Sequence, residues 1–185
     1  MLNERRVIAL IGPAGAGKST IAKYLHYNYG VARRSIAKEI KNTMKRLYDT
    51  EDKSTLIPVK ELGQPERLVT GREMLQDIGA ALRWVDTDVW LKVLARELLT
   101  LPETIPVVID DVRLDSEIAF LKSHYQTWVV SVSAPYELRS NRAIIAGERD
   151  ITETNWQHVK FDMAIDTSTM PAAEAARLIS MEALS

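Results

Sequence analysis

The sequence predicts an α/β protein whose parallel sheet is covered by helices. Three observations carry that expectation. Val7–Ile11, Pro106–Ile109 and Trp128–Val132 are short, predominantly apolar runs, as expected of strands buried on both faces. Helix-like segments separate them, which is the alternation of a parallel sheet with crossover helices. The chain has 185 residues, near the size of one domain at about 150 residues, and can bury a core without staples.

Taken in order, Val7–Ile11 is the first strand and Gly12–Gly17 a glycine-rich loop. Ser19–Tyr29 reads as a helix that stops near Gly30, a residue suited to a helix end. Ala32–Ile36 reads as a second short strand and Ala37–Tyr48 as a helix. Residues 49–70 are polar, hold Pro58 and Pro65, and read as a loop. Arg72–Val85 and Val89–Leu99 are helical. Pro106–Ile109 is a strand that ends in Asp110 and Asp111, and Asp115–His124 is a helix. Trp128–Val132 is a strand, Tyr136–Ala146 a polar helix and Met163–Ile165 a short last strand. Pro171–Leu184 closes the chain as a helix with proline in its first turn. The whole chain, 1–185, is expected to form a single domain.

Composition narrows the function. Hydrophobic residues make up 46% and charged residues 26%, as in an ordinary globular protein. The net charge is −1, which argues against a general electrostatic grip on nucleic acid or anionic membrane. The chain has no cysteine, so disulfides, Cys-bound zinc and thiol catalysis are excluded, and the expected compartment is the cytoplasm. The apolar run near the N-terminus is too short for a signal peptide. No stretch approaches the roughly 20 apolar residues of a membrane span. Neutrality is only global. Residues 33–72 hold ten Lys/Arg against six Asp/Glu, and residues 73–120 hold four against ten.

Residues 12–19, Gly-Pro-Ala-Gly-Ala-Gly-Lys-Ser, match the phosphate-loop pattern G-x-x-x-x-G-K-S/T in full. They lie between an apolar strand and a helix, the context the pattern requires. Small residues let backbone N–H groups wrap a polyphosphate. The helix that follows directs its positive end at the same anion. Gly12, Ala14, Gly15, Ala16, Gly17, Lys18, Ser19 and Thr20 are the candidate donor-binding residues. Lys18 suits β- and γ-phosphates and the Ser19 hydroxyl suits Mg²⁺. Asp110 and Asp111, at the end of a buried strand, are the candidate second metal partners, and local pattern does not choose between them. The expected fold is therefore a P-loop NTPase fold.

On a helix, Arg72, Gln76, Gly79 and Arg83 form one stripe, beside an apolar stripe of Leu75, Ile78, Leu82 and Val85. Arginine suits a phosphate, glutamine can read a base edge, and the glycine would admit a close approach. Trp84 and Trp90 follow as candidate stacking rings. Arg113, just beyond the two aspartates, is placed to reach an acceptor phosphate. Arg139 and Arg142, with Arg149 further on, have the character of a lid that brings positive charge to a transferred phosphoryl group. His26, His124 and His158 make no metal spacing with one another.

These residues together resemble the deoxynucleoside monophosphate kinases of bacteriophage type, within the nucleoside monophosphate kinase group. The resemblance rests on the phosphate loop, on Ile36-Ala-Lys38-Glu-Ile-Lys41 and on Gly71-Arg72-Glu-Met-Leu-Gln76-Asp-Ile-Gly79. It also rests on Trp90 and on Asp110-Asp111-Val-Arg113 with Glu117. It implies an acceptor-binding insertion near residues 37–100 and a lid near 134–160. It implies ATP and Mg²⁺ as cofactors and a deoxynucleoside monophosphate as acceptor. Lys38, Arg72, Gln76, Gly79, Arg83, Trp90 and Arg113 would bind the acceptor; Lys18, Arg113, Arg139 and Arg142 would be catalytic. Nucleic acid and membrane are not expected partners, and homodimerisation is left open. Two other readings stand beside it: a small-molecule P-loop kinase with a different acceptor, and an ATP-switch or DNA-associated ATPase module.

Overall fold

The computed structural model describes residues 3–142 and 158–185. Arg149, and the parts of the expected lid and of the helix Tyr136–Ala146 that fall within 143–157, lie outside them. The chain divides into two compact units. Met1–Ser35 with Glu97–Ser185 form one, and Ile36–Arg96 form the other.

The first unit is built on β1 (Asn3–Ile11), β2 (Ala32–Arg34), β5 (Val107–Ile109), β6 (Tyr125–Ser133) and β7 (Met163–Asp166). Among the described residues these make a five-stranded sheet in the order β2-β5-β1-β6-β7. Every pairing in it is parallel. The expected α/β fold with a parallel sheet flanked by helices is thus observed. Central β1 explains the fully apolar run, since Ile8, Leu10 and Ile11 are all completely buried. Ile8, Leu10, Val108, Val130 and Val132 join one core cluster with Ile21 and Leu25 of α1 (Lys18–Tyr29) and Ala176 and Ile179 of α7 (Ala172–Ala183). Between β5 and β6 lies α5 (Asp115–His124), and after β6 comes α6 (Tyr136–Arg142). The order reverses at β1, whose neighbours are β5 on one side and β6 on the other. Open α/β sheets bind ligands beyond the carboxyl end of the strand at such a switch point.

Helix ends follow local chemistry. Gly30 takes φ 66° and its N–H donates to the Leu25 carbonyl, closing α1. An unexpected device holds the end of α4 (Val89–Leu98). Buried Arg5 donates to the carbonyls of Leu98, Leu101, Pro102 and Ile105 at 2.9–3.1 Å. One guanidinium there ties the last carbonyl of the helix, that of Leu98, to three carbonyls of the segment that follows.

The second unit holds α2 (Lys38–Tyr48), β3 (Leu56–Val59), β4 (Arg67–Thr70), α3 (Gly71–Val85) and most of α4. The hairpin corrects the expectation of a loop over residues 49–70. Ile57 and Val69 face each other across antiparallel strands and pack with Met44 and Met74. Pro58 is tolerated because a two-stranded ribbon has only edge strands. A capping box starts α3. Glu73 N–H donates to Thr70 Oγ1, and the Glu73 carboxylate accepts from the Thr70 amide and hydroxyl. The amide first, and the hydroxyl second, hold that carboxyl below the usual glutamate range.

Candidate functional site

The phosphate loop leaves the end of β1 and runs into α1. Gly12, at φ +130°, lies against the β6 backbone, so that a Cβ there would sit 2.0 Å from the Val132 carbonyl oxygen. Gly15, at φ +77°, lies against α6, and a Cβ would meet the Arg139 carbonyl oxygen at 2.7 Å. Neither position accepts a side chain. Lys18 Nζ reaches back over the loop and donates to the Gly12 and Pro13 carbonyls at 2.5 and 2.8 Å. The first turn of α1 carries no acidic residue and no side-chain cap, so its positive end is left for an external anion. Ser19 and Thr20 are exposed in that turn.

Asp110 is 4% exposed. It continues β5 on the face of Val108, which packs in the core cluster of α1. Its Oδ2 accepts from Arg33 Nη2 at 2.7 Å, an ion pair across neighbouring strands. Asp111 Oδ2 accepts instead from the Ser35 hydroxyl at 2.7 Å. The alternation of the strand therefore separates two carboxylates that local pattern left equivalent. No group of three or more His, Asp or Glu side chains suited to a metal occurs among the described residues. A hydroxyl with a carboxylate still fits Mg²⁺, which keeps water and substrate phosphates as most of its ligands. Ser19 and Asp110 are the hydroxyl and carboxylate that could supply it here.

Arg113 is half-buried. Its backbone N–H, with that of Leu114, donates to the buried Glu117 carboxylate at 2.8 and 3.1 Å. Glu117 thereby caps the start of α5 and fixes the backbone of Arg113. Arg139 donates through Nε to the Ala134 carbonyl and through Nη1 to Ala14 of the phosphate loop, each at 3.2 Å. Arg142 Nη1 donates to Thr167 Oγ1 at 3.1 Å. Arg139 and Arg142, which the sequence assigned to an expected lid, thus lie beside the loop or beside a residue that contacts it. Thr167, in the turn after β7, was not anticipated. Its hydroxyl lies 2.9 Å from the Ala16 carbonyl. That turn is shaped by Asp166, which accepts from the Ser168 hydroxyl and amide; those two bonds lower its carboxyl below the usual aspartate range. The available signal was its place directly after the last strand.

In the second unit, Arg72 stands at the start of α3. Gly71 permits the 52–55 backbone to come close: a Cβ would sit 2.1 Å from the Asp52 carbonyl oxygen. The amides of Gly71 and Arg72 donate to the Thr55 and Lys53 carbonyls at 2.8 and 3.0 Å. Arg72 is half-buried, Gln76 is exposed one turn on, and Lys38 is exposed at the start of α2. Gly79 and Trp90 are corrections to the sequence reading. Gly79 is buried, and what approaches it is the Ile40 side chain and the Arg83 guanidinium of its own helix. Trp90 is 5% exposed, and its Nε1 donates to the Gly79 carbonyl at 3.1 Å. Both are packing residues. Arg83, one turn on, brings its guanidinium to 3.4 Å from where a Gly79 Cβ would stand. The expected apolar stripe also ends early, because Leu82 and Val85 are exposed while Met74 is buried.

The histidines have local roles or exposed positions. His26 Nδ1 contacts the Val31 carbonyl, His124 stacks on Phe120, and His158 is exposed. Among the described residues no helix is long and apolar enough to cross a membrane.

Over residues 101–183 the chain matches the family described as chloramphenicol phosphotransferase-like protein. No curated protein matches it. Among solved structures, TT1252 from Thermus thermophilus is similar, with 18% identity, 96% of each chain covered and a TM-score of 0.54. Shikimate kinase from Aquifex aeolicus vf5 is similar with 15% identity, 95% of this chain and 94% of that chain covered, and a TM-score of 0.49. Shikimate kinase from Acinetobacter baumannii in complex with shikimate gives 17% identity, 97% and 93% coverage, and a TM-score of 0.49. The likeness to the Thermus structure is one of fold, an α/β fold with a parallel sheet flanked by helices.

Proposed function

We propose that the protein is a P-loop kinase that transfers the γ-phosphoryl group of ATP to a small molecule, and that the acceptor is a deoxynucleoside monophosphate. The observation that carries the kinase reading is the phosphate loop, with Lys18 drawn over it and α1 starting at its end. The match of residues 101–183 to a phosphotransferase-like family supports it. Support for the acceptor comes from the Arg72–Gln76 face of α3, where a phosphate-binding and a base-reading side chain lie one turn apart.

In this reading the loop amides and Lys18 hold the β- and γ-phosphates of ATP. Mg²⁺, when bound, neutralises phosphate charge, with Ser19 and Asp110 as its protein partners. Arg72 holds the acceptor phosphate and Gln76 reads the base, with Arg113 a further candidate for binding phosphate. Arg139 and Arg142 bring positive charge to the transferred group. No covalent enzyme intermediate is required, because positioning and electrostatic stabilisation supply most of the catalysis of phosphoryl transfer.

A second reading keeps the kinase and changes the acceptor to a hydroxyl of another small molecule; the phosphotransferase-like match favours it. A transfer screen with Mg-ATP decides between them. The acceptors are the common deoxynucleoside and nucleoside monophosphates, with shikimate and chloramphenicol as hydroxyl acceptors. Formation of a deoxynucleoside diphosphate is the expected result. Transfer only to a hydroxyl acceptor would remove the nucleotide assignment. Hydrolysis without any transfer would remove the kinase.

A further inference from the structure

We infer that Thr167 is a positioning residue of the phosphate loop, which aims the Gly17 amide at the donor phosphate and ties it to Arg142. The inference deepens the reading of the loop as the ATP site and rests on it. Thr167 sits in the turn after β7, 151 residues from the loop in sequence. Two acceptors lie near its hydroxyl: the Ala16 carbonyl at 2.9 Å and the Ser133 carbonyl at 3.3 Å. Ser133 also accepts from the Thr167 amide at 2.9 Å, and the shorter hydroxyl contact sends the hydroxyl proton to Ala16. The oxygen then has lone pairs left for a donor, and Arg142 Nη1 supplies one at 3.1 Å. The methyl group packs beside Gly17, 3.3 Å from where a Cβ would stand.

The consequence follows from the planar trans peptide. Its C=O and N–H point in opposite directions. Holding the Ala16 carbonyl toward Thr167 turns the Gly17 N–H away from it. Gly17 is the N-cap of α1, at φ 99°, a conformation in which glycine gives the peptide wide freedom to rotate. Loop amides bind phosphate only while they converge. A hydrogen bond on the Ala16 carbonyl is therefore a direct control on one of them. Arg142 strengthens that bond, since a charged donor to the hydroxyl oxygen polarises its O–H. Position on α6 is thereby coupled to the shape of the loop.

The test compares Thr167→Val, which keeps shape and loses the hydroxyl, with Thr167→Ser, which keeps the hydroxyl. Mg-ATP binding is measured by calorimetry, without any acceptor, below the unfolding temperature of each variant. Thr167→Val should bind about tenfold more weakly, as the loss of one well-placed hydrogen bond implies. Thr167→Ser should stay within about twofold of the parent protein. Arg142→Ala should weaken binding less in the Thr167→Val background than in the parent, because the two act through one oxygen. Equal binding by Thr167→Val and the parent overturns the inference, as does equal loss in both Thr167 variants. A parent protein that binds no Mg-ATP overturns the ATP reading itself, and the inference with it.

Discussion

Arg33 donates to Asp110 at 2.7 Å, from a side chain that is 36% exposed to one that is 3% exposed. The pair joins edge strand β2 to β5, beside the strand that carries the phosphate loop. Removing one partner from a buried ion pair leaves a charge without compensation. Arg33→Ala should lower stability by about 2 kcal/mol. That is less than the roughly 3–5 kcal/mol of a fully buried pair, because water can screen the exposed side. Asp110→Asn in the Arg33→Ala background should recover about half of the loss. Urea unfolding of the two single variants and the double variant measures this. A loss below about 0.5 kcal/mol for Arg33→Ala would put the pair with ordinary surface contacts.

Lys18 spans the loop from the Gly12 carbonyl to the Pro13 carbonyl. Those contacts place its charge over the loop before any phosphate arrives. Lys18→Ala should lower phosphoryl transfer by about 10²–10³-fold, the usual effect of removing one preorganised charge or donor. The fold should persist, since the loop keeps its glycine conformations and its contacts with β6. Single-turnover kinetics with a circular-dichroism melt check both halves of this statement. Near-normal turnover would take the loop lysine out of the mechanism.

Local signals made one part of this molecule legible. The run Val7–Ile11 is apolar because β1 is the central strand, and the glycine pattern that follows is contiguous in sequence. The end of α1 at Gly30 is equally local. The hairpin was hidden because each strand has only four residues, too few for a period to show, and Pro58 argued against a strand. Helical periodicity placed Gly79 beside Gln76 and could not tell which edge of that stripe is buried. The answer depends on Ile40 and Trp90, which come from other helices. Arg33 and Asp110 are 77 residues apart in sequence, so only strand order brings them together. Thr167 was missed for the same reason.

Glu73 gives α3 an acid-sensitive start. The Thr70 amide and hydroxyl favour its charged form, so its folded pKa lies below the unfolded one. A depressed carboxylate contributes stability above the unfolded pKa and loses it as pH falls through the folded value. Stability should therefore decline in the acid range partly through this group. Glu73→Gln can keep the capping geometry but has no proton to take up. At neutral pH it should change stability little, and its stability should fall less steeply on acidification. Urea midpoints across the acid range for parent and variant give the comparison, and parallel curves would rule the group out.

Two tryptophans six residues apart in sequence should respond in opposite ways. Trp90 is 5% exposed and Trp84 is 90% exposed. Trp90→Phe loses the bond to the Gly79 carbonyl and some buried volume, at a cost of about 2 kcal/mol. Trp84→Ala should stay within about 0.5 kcal/mol of the parent, as surface substitutions do. Chemical unfolding followed by far-ultraviolet circular dichroism compares them without relying on the substituted chromophores. Equal losses would contradict the packing of α4 against α3.

Arg72 is the sharpest probe of the acceptor. Its backbone is held by the Lys53 carbonyl and by the capped start of α3, so truncating its side chain leaves the helix in place. The bidentate geometry of a guanidinium suits the two charged oxygens of a monophosphate. Arg72→Ala should raise the KM for a deoxynucleoside monophosphate by about 10²-fold, the scale of a lost charge-assisted bond of roughly 1.5–3 kcal/mol. The KM for ATP should change by no more than about twofold. Gln76→Ala should act differently, by relaxing the preference among bases while leaving the phosphate requirement intact. Initial-rate kinetics with each substrate varied in turn separate the two constants. A rise confined to the ATP constant would move Arg72 from the acceptor to the donor, and with it the role assigned to α3.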